Sequence, residues 1–124
     1  MVVIIGIPNA GKSTYSERFH DVIHLDDFPL SRFRNCNKAV AKSHGEVVVE
    51  GIYNTRNRRE ELLKACTGNE KKVCVWIDTP LEVCLSRCTD SGFKHTVEIG
   101  ARMFQPPTLD EGWDEIIVVR YEEE

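Results

Sequence analysis

A glycine-rich turn near the beginning of the chain constrains the fold more than any other feature. Residues 6–13 read Gly-Ile-Pro-Asn-Ala-Gly-Lys-Ser and fit the pattern G-x-x-x-x-G-K-[ST] at every fixed position. The apolar run at residues 2–5 is typical of a strand buried on both faces, and residues 12–20 are expected to form a helix. A strand, this turn and a helix in succession predict an α/β fold with the turn at the carboxyl edge of a parallel sheet.

The turn has the composition of a phosphate-binding loop. Glycine allows the backbone to curl so that consecutive N–H groups point at phosphate oxygens, and the N-terminus of the next helix adds a positive end. Lys12 would reach the β- and γ-phosphates of a nucleoside triphosphate, and the Ser13 hydroxyl would hold Mg²⁺. The guanine-reading segment N-K-x-D of GTPases does not occur in the sequence, and motor or AAA-type ATPases are far longer. A small phosphotransferase is the class that remains.

Predicted strands and helices alternate along the rest of the chain, which implies a parallel sheet with right-handed crossovers. The further predicted strands are residues 22–25, 46–50, 73–78 and 115–119. The further predicted helices are residues 31–43, 57–66, 80–88 and 97–104, and residues 89–95 are expected to form a loop. Thr79 is expected to cap the helix that begins at Pro80.

Charge and cysteine content limit the partners and the compartment. The 124 residues carry a net charge of −4, so a polyanionic substrate would have to meet a local basic patch. Basic side chains cluster in residues 32–42 and again in residues 56–59. The cysteine count is odd and no signal peptide fits before the turn, which predicts reduced thiols and a cytoplasmic, nuclear or viral location. No run of about 18 apolar residues occurs, so we expect no membrane contact.

Acidic residues are expected to meet the loop at the carboxyl edge of the sheet. Asp26 follows the second predicted strand, where its carboxylate could take the proton of an acceptor hydroxyl as that hydroxyl attacks. Alternatively, Asp26 or Asp27 caps the next helix, and Asp27 suits that role better. Glu50 ends the third predicted strand and could either belong to the Mg²⁺ site or be a solvated strand end.

Four blocks of the sequence together resemble the polynucleotide 5′-hydroxyl kinase family, both the phage type and the kinase domain of the mammalian polynucleotide kinase–phosphatase. They are residues 6–14, 23–28, 81–87 and 104–113. The last block, Phe-Gln-Pro-Pro-Thr-Leu-Asp-Glu-Gly-Trp, is the most specific, and in that family it shapes the end of the site near the lid. The resemblance implies a single P-loop NTPase kinase domain, residues 1–124. Its five-stranded parallel sheet, in the order 2-3-1-4-5, would be flanked by helices and carry a short lid.

The resemblance also implies roles for individual residues. Asp26 corresponds to the general base, and Lys12 and Arg87 correspond to cations that neutralise the transferring phosphoryl group. The full predicted nucleotide-binding set is Gly6, Pro8, Asn9, Ala10, Gly11, Lys12, Ser13, Thr14 and Arg87. The predicted metal-binding residues are Ser13 and Glu50. Pro29 stands where the family often has an acceptor-contacting arginine, which Arg32 or Arg34 could replace. With Arg59 from the second basic cluster, these are the predicted acceptor-binding residues.

These features lead us to expect a kinase that transfers the γ-phosphate of ATP to the 5′-hydroxyl end of DNA or RNA. Two alternatives remain open. One is a small-molecule kinase that acts on a nucleoside, a sugar or a similar alcohol, which the acidic net charge favours. The other is a non-catalytic nucleotide-binding module, against which the presence of Asp26 and Arg87 argues.

Overall fold

The computed structural model of the chain describes residues 1–43, 45–66, 68 and 70–121, and these residues alternate between strands and helices. The strands are β1 (Val2–Ile5), β2 (Ile23–His24), β3 (Val48–Glu50), β4 (Val73–Asp78) and β5 (Glu115–Arg120). The helices are α1 (Lys12–Ser16), α2 (Arg32–Lys42), α3 (Arg56–Ala65), α4 (Leu81–Ser86) and α5 (Ser91–Met103). Two 3₁₀ turns, Leu25–Asp27 and Leu109–Glu111, complete the ordered elements. Within the described residues, no helix is both long and apolar enough to cross a membrane.

All strand pairs are parallel and follow the order β2-β3-β1-β4-β5, which confirms the predicted topology. Strand β1 occupies the centre, and Val3, Ile4 and Ile5 have no exposed surface. The turn that follows β1 therefore opens at the middle of the carboxyl edge, between the ends of β3 and β4. Ligands bind at this position in open α/β sheets.

Each face of the sheet carries its own apolar core, because successive side chains of a strand point to opposite faces. Val3 and Ile5 belong to a cluster that also contains residues of α2 and α3, among them Leu62. Ile4 belongs to a second cluster, which includes Cys84 of α4 and Val97 of α5. The helices thus cover both faces of the sheet and leave its carboxyl edge open.

Two element boundaries differ from the prediction. Helix α1 ends at Ser16 instead of continuing to His20, because the next three N–H groups bond to carbonyls three residues back, in tighter 3₁₀-type turns. The predicted loop over residues 89–95 is wrong from Ser91 onward, because α5 begins there. The Asp90 side chain caps this helix by accepting a hydrogen bond of 2.8 Å from the backbone N–H of Gly92. The other helix and strand ends lie within two residues of their predicted positions.

Candidate active site

The phosphate loop, residues 6–13, has a backbone that requires glycine at two places. Gly11 has φ of 104°, in the left-handed region that residues with a side chain adopt only under strain. A Cβ atom on Gly6 would lie 2.9 Å from the carbonyl oxygen of Ile77, so the loop approaches β4 more closely than a side chain permits. Asn9, with φ of 67°, is also left-handed. The sequence pattern thus produces the tightly curled backbone that phosphate binding requires.

Lys12 lies across the mouth of this loop. Its Nζ donates hydrogen bonds to the carbonyl oxygens of Gly6 (3.0 Å) and Ile7 (2.9 Å). Burial lowers the pKa of Lys12 below its ordinary value, and the nearby charges of Glu50 and Asp26 offset part of this effect. The loop carbonyls therefore hold the ammonium group at the place where a phosphate would arrive.

Strand β4 and helix α4 hold the loop in place from the side. The Thr79 hydroxyl donates to the carbonyl oxygen of Ala10 over 2.7 Å, and the Arg87 guanidinium donates to that of Asn9 over 2.8 Å. The Asn9 side chain donates to the Cys84 carbonyl (3.4 Å) and the Cys88 sulfur (3.3 Å). The prediction that Thr79 caps α4 is therefore wrong, because the helix follows Pro80 with no side-chain cap and the hydroxyl supports the loop instead.

A pocket of about 470 Å³ opens above the loop and collects most of the predicted site residues. Those that line it are Pro8, Asn9, Gly11, Lys12, Ser13, Thr14, Asp26, Arg32, Glu50 and Arg87. The nucleotide-binding, general-base and metal-binding predictions thus converge on one cavity. The predicted alternative of Glu50 as a solvated strand end is wrong, because only 6% of this residue is exposed.

Asp26 is paired with the first residue of α2. Its Oδ1 accepts a hydrogen bond from Arg32 over 3.1 Å, and both side chains remain largely exposed at the pocket rim. The second carboxylate oxygen, Oδ2, has no partner among the described residues. Asp27 follows in the same 3₁₀ turn but does not line the pocket. Of the two neighbouring acids, Asp26 is therefore the one whose side chain lines the pocket.

His24 contributes to the site although sequence interpretation did not single it out. It is in register with Glu50 across the β2–β3 pair, and its Nδ1 lies 2.8 Å from Glu50 Oε2. The signal in the sequence was a lone imidazole within an otherwise apolar strand. Its significance depends on the pairing of two strands that are distant in sequence, which the local pattern does not give.

Among the three predicted acceptor-binding arginines, only Arg32 lines the pocket. Arg34 is exposed on α2 and lies outside the pocket lining. Arg59 has no exposed surface: its guanidinium donates to both carboxylate oxygens of Glu111 (2.7 and 3.0 Å) and to the Tyr53 carbonyl oxygen (2.9 Å). The prediction that Arg59 contacts an acceptor is therefore wrong, because this side chain is a buried structural partner.

The segment at residues 104–113, the most specific part of the family resemblance, holds α3 in place through contacts of Glu111. Glu111 accepts the Arg59 guanidinium and also the Trp113 indole N–H (3.1 Å), and it closes a capping box with Thr108. Burial alone would raise the pKa of Glu111, but these hydrogen bonds outweigh it and hold the pKa below its ordinary value. No residue of the block lines the pocket above the loop. The expectation that residues 104–113 shape the end of the site is therefore wrong, and these residues instead support helix α3.

Helix α5 supplies an additional wall of the pocket. Phe93 and Thr96 line it from the first turns of the helix, and Phe93 is 41% exposed. Farther along, a Cβ on Gly100 would lie only 2.8 Å from the ring of Pro8, so the helix rests closely on the phosphate loop. The sequence interpretation missed this wall because it assigned residues 89–95 to a loop. The Asp90 cap was the signal that could have revealed it.

A second cavity, of about 420 Å³, lies on the other flank of the phosphate loop. It shares Gly11, Thr14 and Arg87 with the first pocket, and Tyr15 and Tyr121 also line it. The loop therefore has an opening on each side. The first opening faces Asp26 and Arg32, and the second faces the end of β5 and the aromatic residues.

The donor set suits Mg²⁺ held jointly with phosphates. The Ser13 hydroxyl is exposed in the pocket, and Glu50 carries one carboxylate oxygen, Oε1, that has no hydrogen-bond partner among the described residues and is not buried. The described part of the chain contains no cluster of three His, Cys, Asp or Glu side chains that could hold a metal alone. Mg²⁺ usually binds through one or two protein oxygens, substrate phosphates and water, which fits this arrangement.

Comparison with known proteins identifies the fold. No family model matches the chain, and no curated protein matches it. Among solved structures, it is similar to the crystal structure of a gluconokinase from Sinorhizobium meliloti 1021, with a TM-score of 0.75 and 16% identity. The match covers 99% of this chain and 83% of that one. With its sheet order and phosphate loop, the chain has the P-loop kinase fold.

Proposed function

We propose that the protein is an ATP-dependent kinase that phosphorylates a hydroxyl group of a small molecule. The observation that carries the proposal is that Lys12, Asp26 and Arg87 line one cavity, which is also lined by Phe93 and Thr96 of α5. The loop cation, a carboxylate able to accept a proton and a second cation are the groups that phosphoryl transfer needs. The gluconokinase with the same fold acts on a small acceptor, which supports the same class here.

In this mechanism the protein mainly positions two substrates and neutralises charge. Asp26 Oδ2 accepts the proton of the acceptor hydroxyl while Arg32 steadies Oδ1. Lys12 and Arg87 stabilise the charge that spreads over the phosphoryl oxygens. Mg²⁺, when bound, supplies further neutralisation at the phosphates, and Ser13 and Glu50 are the residues that would hold it. The cavity beside Tyr15 and Tyr121 would take the nucleoside part of ATP.

The acceptor side of the pocket favours a small molecule over a polymer. Apart from Lys12 and Arg87, which contact the loop, the basic side chain lining the pocket is Arg32, and Asp26 already engages it. A nucleic acid end brings several phosphates, each of which gains affinity from a cation. A pocket with one such cation and a phenylalanine suits a compact acceptor better.

A polynucleotide 5′-hydroxyl kinase is the second candidate. Two observations favour it: the sequence block at residues 104–113, and the basic residues Arg32 and Arg34 at the start of α2, beside the pocket rim. In this case α2 would contact the phosphates next to the reactive end of DNA or RNA.

Labelled-phosphate transfer from ATP to a panel of acceptors tests these proposals. The panel contains sugars, hydroxy acids and nucleosides, together with 5′-hydroxyl DNA and RNA oligonucleotides. We expect Mg²⁺-dependent transfer to at least one small molecule, and loss of that transfer in Asp26→Asn. Transfer only to oligonucleotides would establish the second candidate. Binding of ATP without transfer to any member would point to a non-catalytic nucleotide-binding module.

A further inference from the structure

The contact between His24 and Glu50 links two strands at the edge of the pocket. In the parallel β2–β3 pair, the two residues are direct partners, and His24 Nδ1 lies 2.8 Å from Glu50 Oε2. The Glu50 side chain is 8% exposed, whereas that of His24 is 36% exposed. The imidazole thus reaches a nearly buried carboxylate from the solvent side.

The carboxylate can only accept a hydrogen bond, so Nδ1 of His24 must be the donor. A carboxylate with this little exposure is costly unless its oxygens are paired. His24 satisfies Oε2, while Oε1 has no partner among the described residues and is not buried. One oxygen of Glu50 is therefore fixed, and the other is available for a ligand on a side chain that lines the pocket.

Fixing one oxygen restricts the rotation of the whole side chain. A glutamate has three rotatable bonds, and ordering them costs side-chain entropy. The His24 contact orders Glu50 before any ligand arrives, so binding does not carry this cost. Partners that orient a metal-binding carboxylate or imidazole typically change metal affinity by about 10- to 100-fold when they are lost.

We propose that His24 is a positioning residue that aims Glu50 Oε1 at the Mg²⁺ that accompanies ATP. The inference rests on the proposed function, because it assumes a pocket that takes ATP with Mg²⁺. His24 does not line the pocket itself, so it acts through Glu50. The competing explanation is that the contact merely fastens the ends of β2 and β3 together.

The test uses thermal unfolding of the full chain with a non-hydrolysable ATP analogue over a MgCl₂ series. The measured quantity is the Mg²⁺ concentration that gives half of the analogue-dependent stabilisation. It requires neither an acceptor nor turnover. The unfolding temperature without ligand is measured for every variant, so a loss of stability from weaker β2–β3 anchoring is distinguished from a change in the Mg²⁺ response.

Three substitutions of His24 distinguish a role in positioning Glu50 from a role in anchoring β2 to β3. His24→Leu removes the donor, and His24→Gln places its amide nearer to the position of Nε2. His24→Asn places its amide near that of Nδ1. We expect the half-stabilising Mg²⁺ concentration to rise about tenfold in the leucine and glutamine variants and to stay near the wild-type value in the asparagine variant. If the leucine variant fails to fold, the asparagine–glutamine pair decides the question.

Glu50→Gln provides the coupling control. It should shift the Mg²⁺ response at least as far as His24→Leu does, because it also removes the charge of the ligand itself, and adding His24→Leu to it should cause little further shift, because His24 acts through Glu50. An unchanged Mg²⁺ response in His24→Leu and His24→Gln, even with lower unliganded stability, overturns the inference alone. Fully additive shifts in the double variant also overturn it. A wild-type protein that shows no Mg²⁺-dependent stabilisation overturns both the inference and the proposed function.

Discussion

The ammonium group of Lys12 is held by two loop carbonyls at the mouth of the phosphate loop. We expect Lys12→Ala to abolish phosphate transfer, because the β- and γ-phosphates lose the cation that the loop presents. The fold should survive, since the group bonds to the loop and not to the apolar core. Transfer assays and circular dichroism of the variant check both statements. Normal turnover in Lys12→Ala would contradict the assigned role of the loop.

Asp26 and Asp27 are adjacent acids in one 3₁₀ turn, but only Asp26 lines the pocket. We expect Asp26→Asn to lower the transfer rate by about 10²- to 10⁴-fold, the usual contribution of a general base, with ATP affinity nearly unchanged. Asp27→Asn is the matched control and should have a small effect. The turnover number and the ATP dissociation constant of both variants provide the measurement. The reverse ranking would identify Asp27 as the base.

Arg59 and Glu111 form a fully buried ion pair that joins α3 to the segment before β5. We expect Arg59→Met to lower the free energy of unfolding by about 3–5 kcal/mol, because it leaves a buried carboxylate without its cation. Urea denaturation measures this loss. Arg56→Met is the control: the ion pairs of Arg56 with Glu60 and Asp110 are exposed, so the change in stability should be slight.

The ion pair between Arg59 and Glu111 also makes the free energy of unfolding depend on pH in the acidic range. The pKa of Glu111 in the folded chain lies below its ordinary value of 4.5. The stabilisation is therefore fully present above the ordinary pKa and is lost as the pH falls through the lower pKa of the folded state. Glu111→Gln cannot titrate, so its free energy of unfolding should lack this acid-dependent part. An identical pH dependence in the variant would exclude Glu111 as its source.

At the scale of helices and strands, the boundaries predicted from the sequence are most accurate where a local pattern alone determines the element. The buried run of β4 was predicted with the bounds that it has, Val73–Asp78. The start of α5 was missed because residues 89–95 are polar and contain glycine, which suggested a loop, whereas the Asp90 side chain caps a helix that begins at Ser91. Likewise, no local pattern near His24 indicates its contact with Glu50, since that contact depends on strand pairing.

Helix α5 brings an aromatic side chain to the acceptor side of the pocket. We expect Phe93→Ala to raise the KM for the acceptor by about tenfold, because a partly buried aromatic contact contributes on the order of 1–2 kcal/mol. The KM for ATP should not change, since the loop and its cations are untouched. Leu109→Ala, which removes another exposed apolar side chain outside the pocket lining, is the control. Equal effects of the two variants on the acceptor KM would argue against a contact with Phe93.

At the scale of the whole molecule, the motif and the alternation of elements were enough to predict a parallel sheet, and the resemblance to a kinase family added its strand order, but neither gave the acceptor. The fold follows from patterns that many sequences share. The acceptor depends on a few side chains from α2 and α5 whose approach is set by packing. The difference is clear for Arg59, which belongs to a basic cluster in the sequence and to the core in the structure.

The net charge of −4 opposes attraction of a polyanion to the molecule as a whole. We expect 5′-hydroxyl oligonucleotides to compete weakly for the acceptor pocket. The acceptor KM should change with salt by at most about one logarithmic unit of slope, because Arg32 is the one cation among the described lining residues that does not contact the phosphate loop. Competition assays and KM values over a salt series measure both quantities. Strong competition with a steep salt slope, reduced in Arg34→Ala, would favour the polynucleotide kinase.

The openings on the two flanks of the phosphate loop have a consequence for the order of events in a catalytic cycle. In the proposed arrangement the nucleoside of ATP enters through the second cavity, and its phosphates extend over the loop into the first pocket, which the acceptor enters beside Asp26 and Arg32. We therefore expect that neither molecule blocks the entry of the other, so that either can bind first. This arrangement predicts a random sequential mechanism, in which a ternary complex forms by both routes and transfer occurs directly between the two ligands, without the ping-pong kinetics of a phosphorylated protein intermediate.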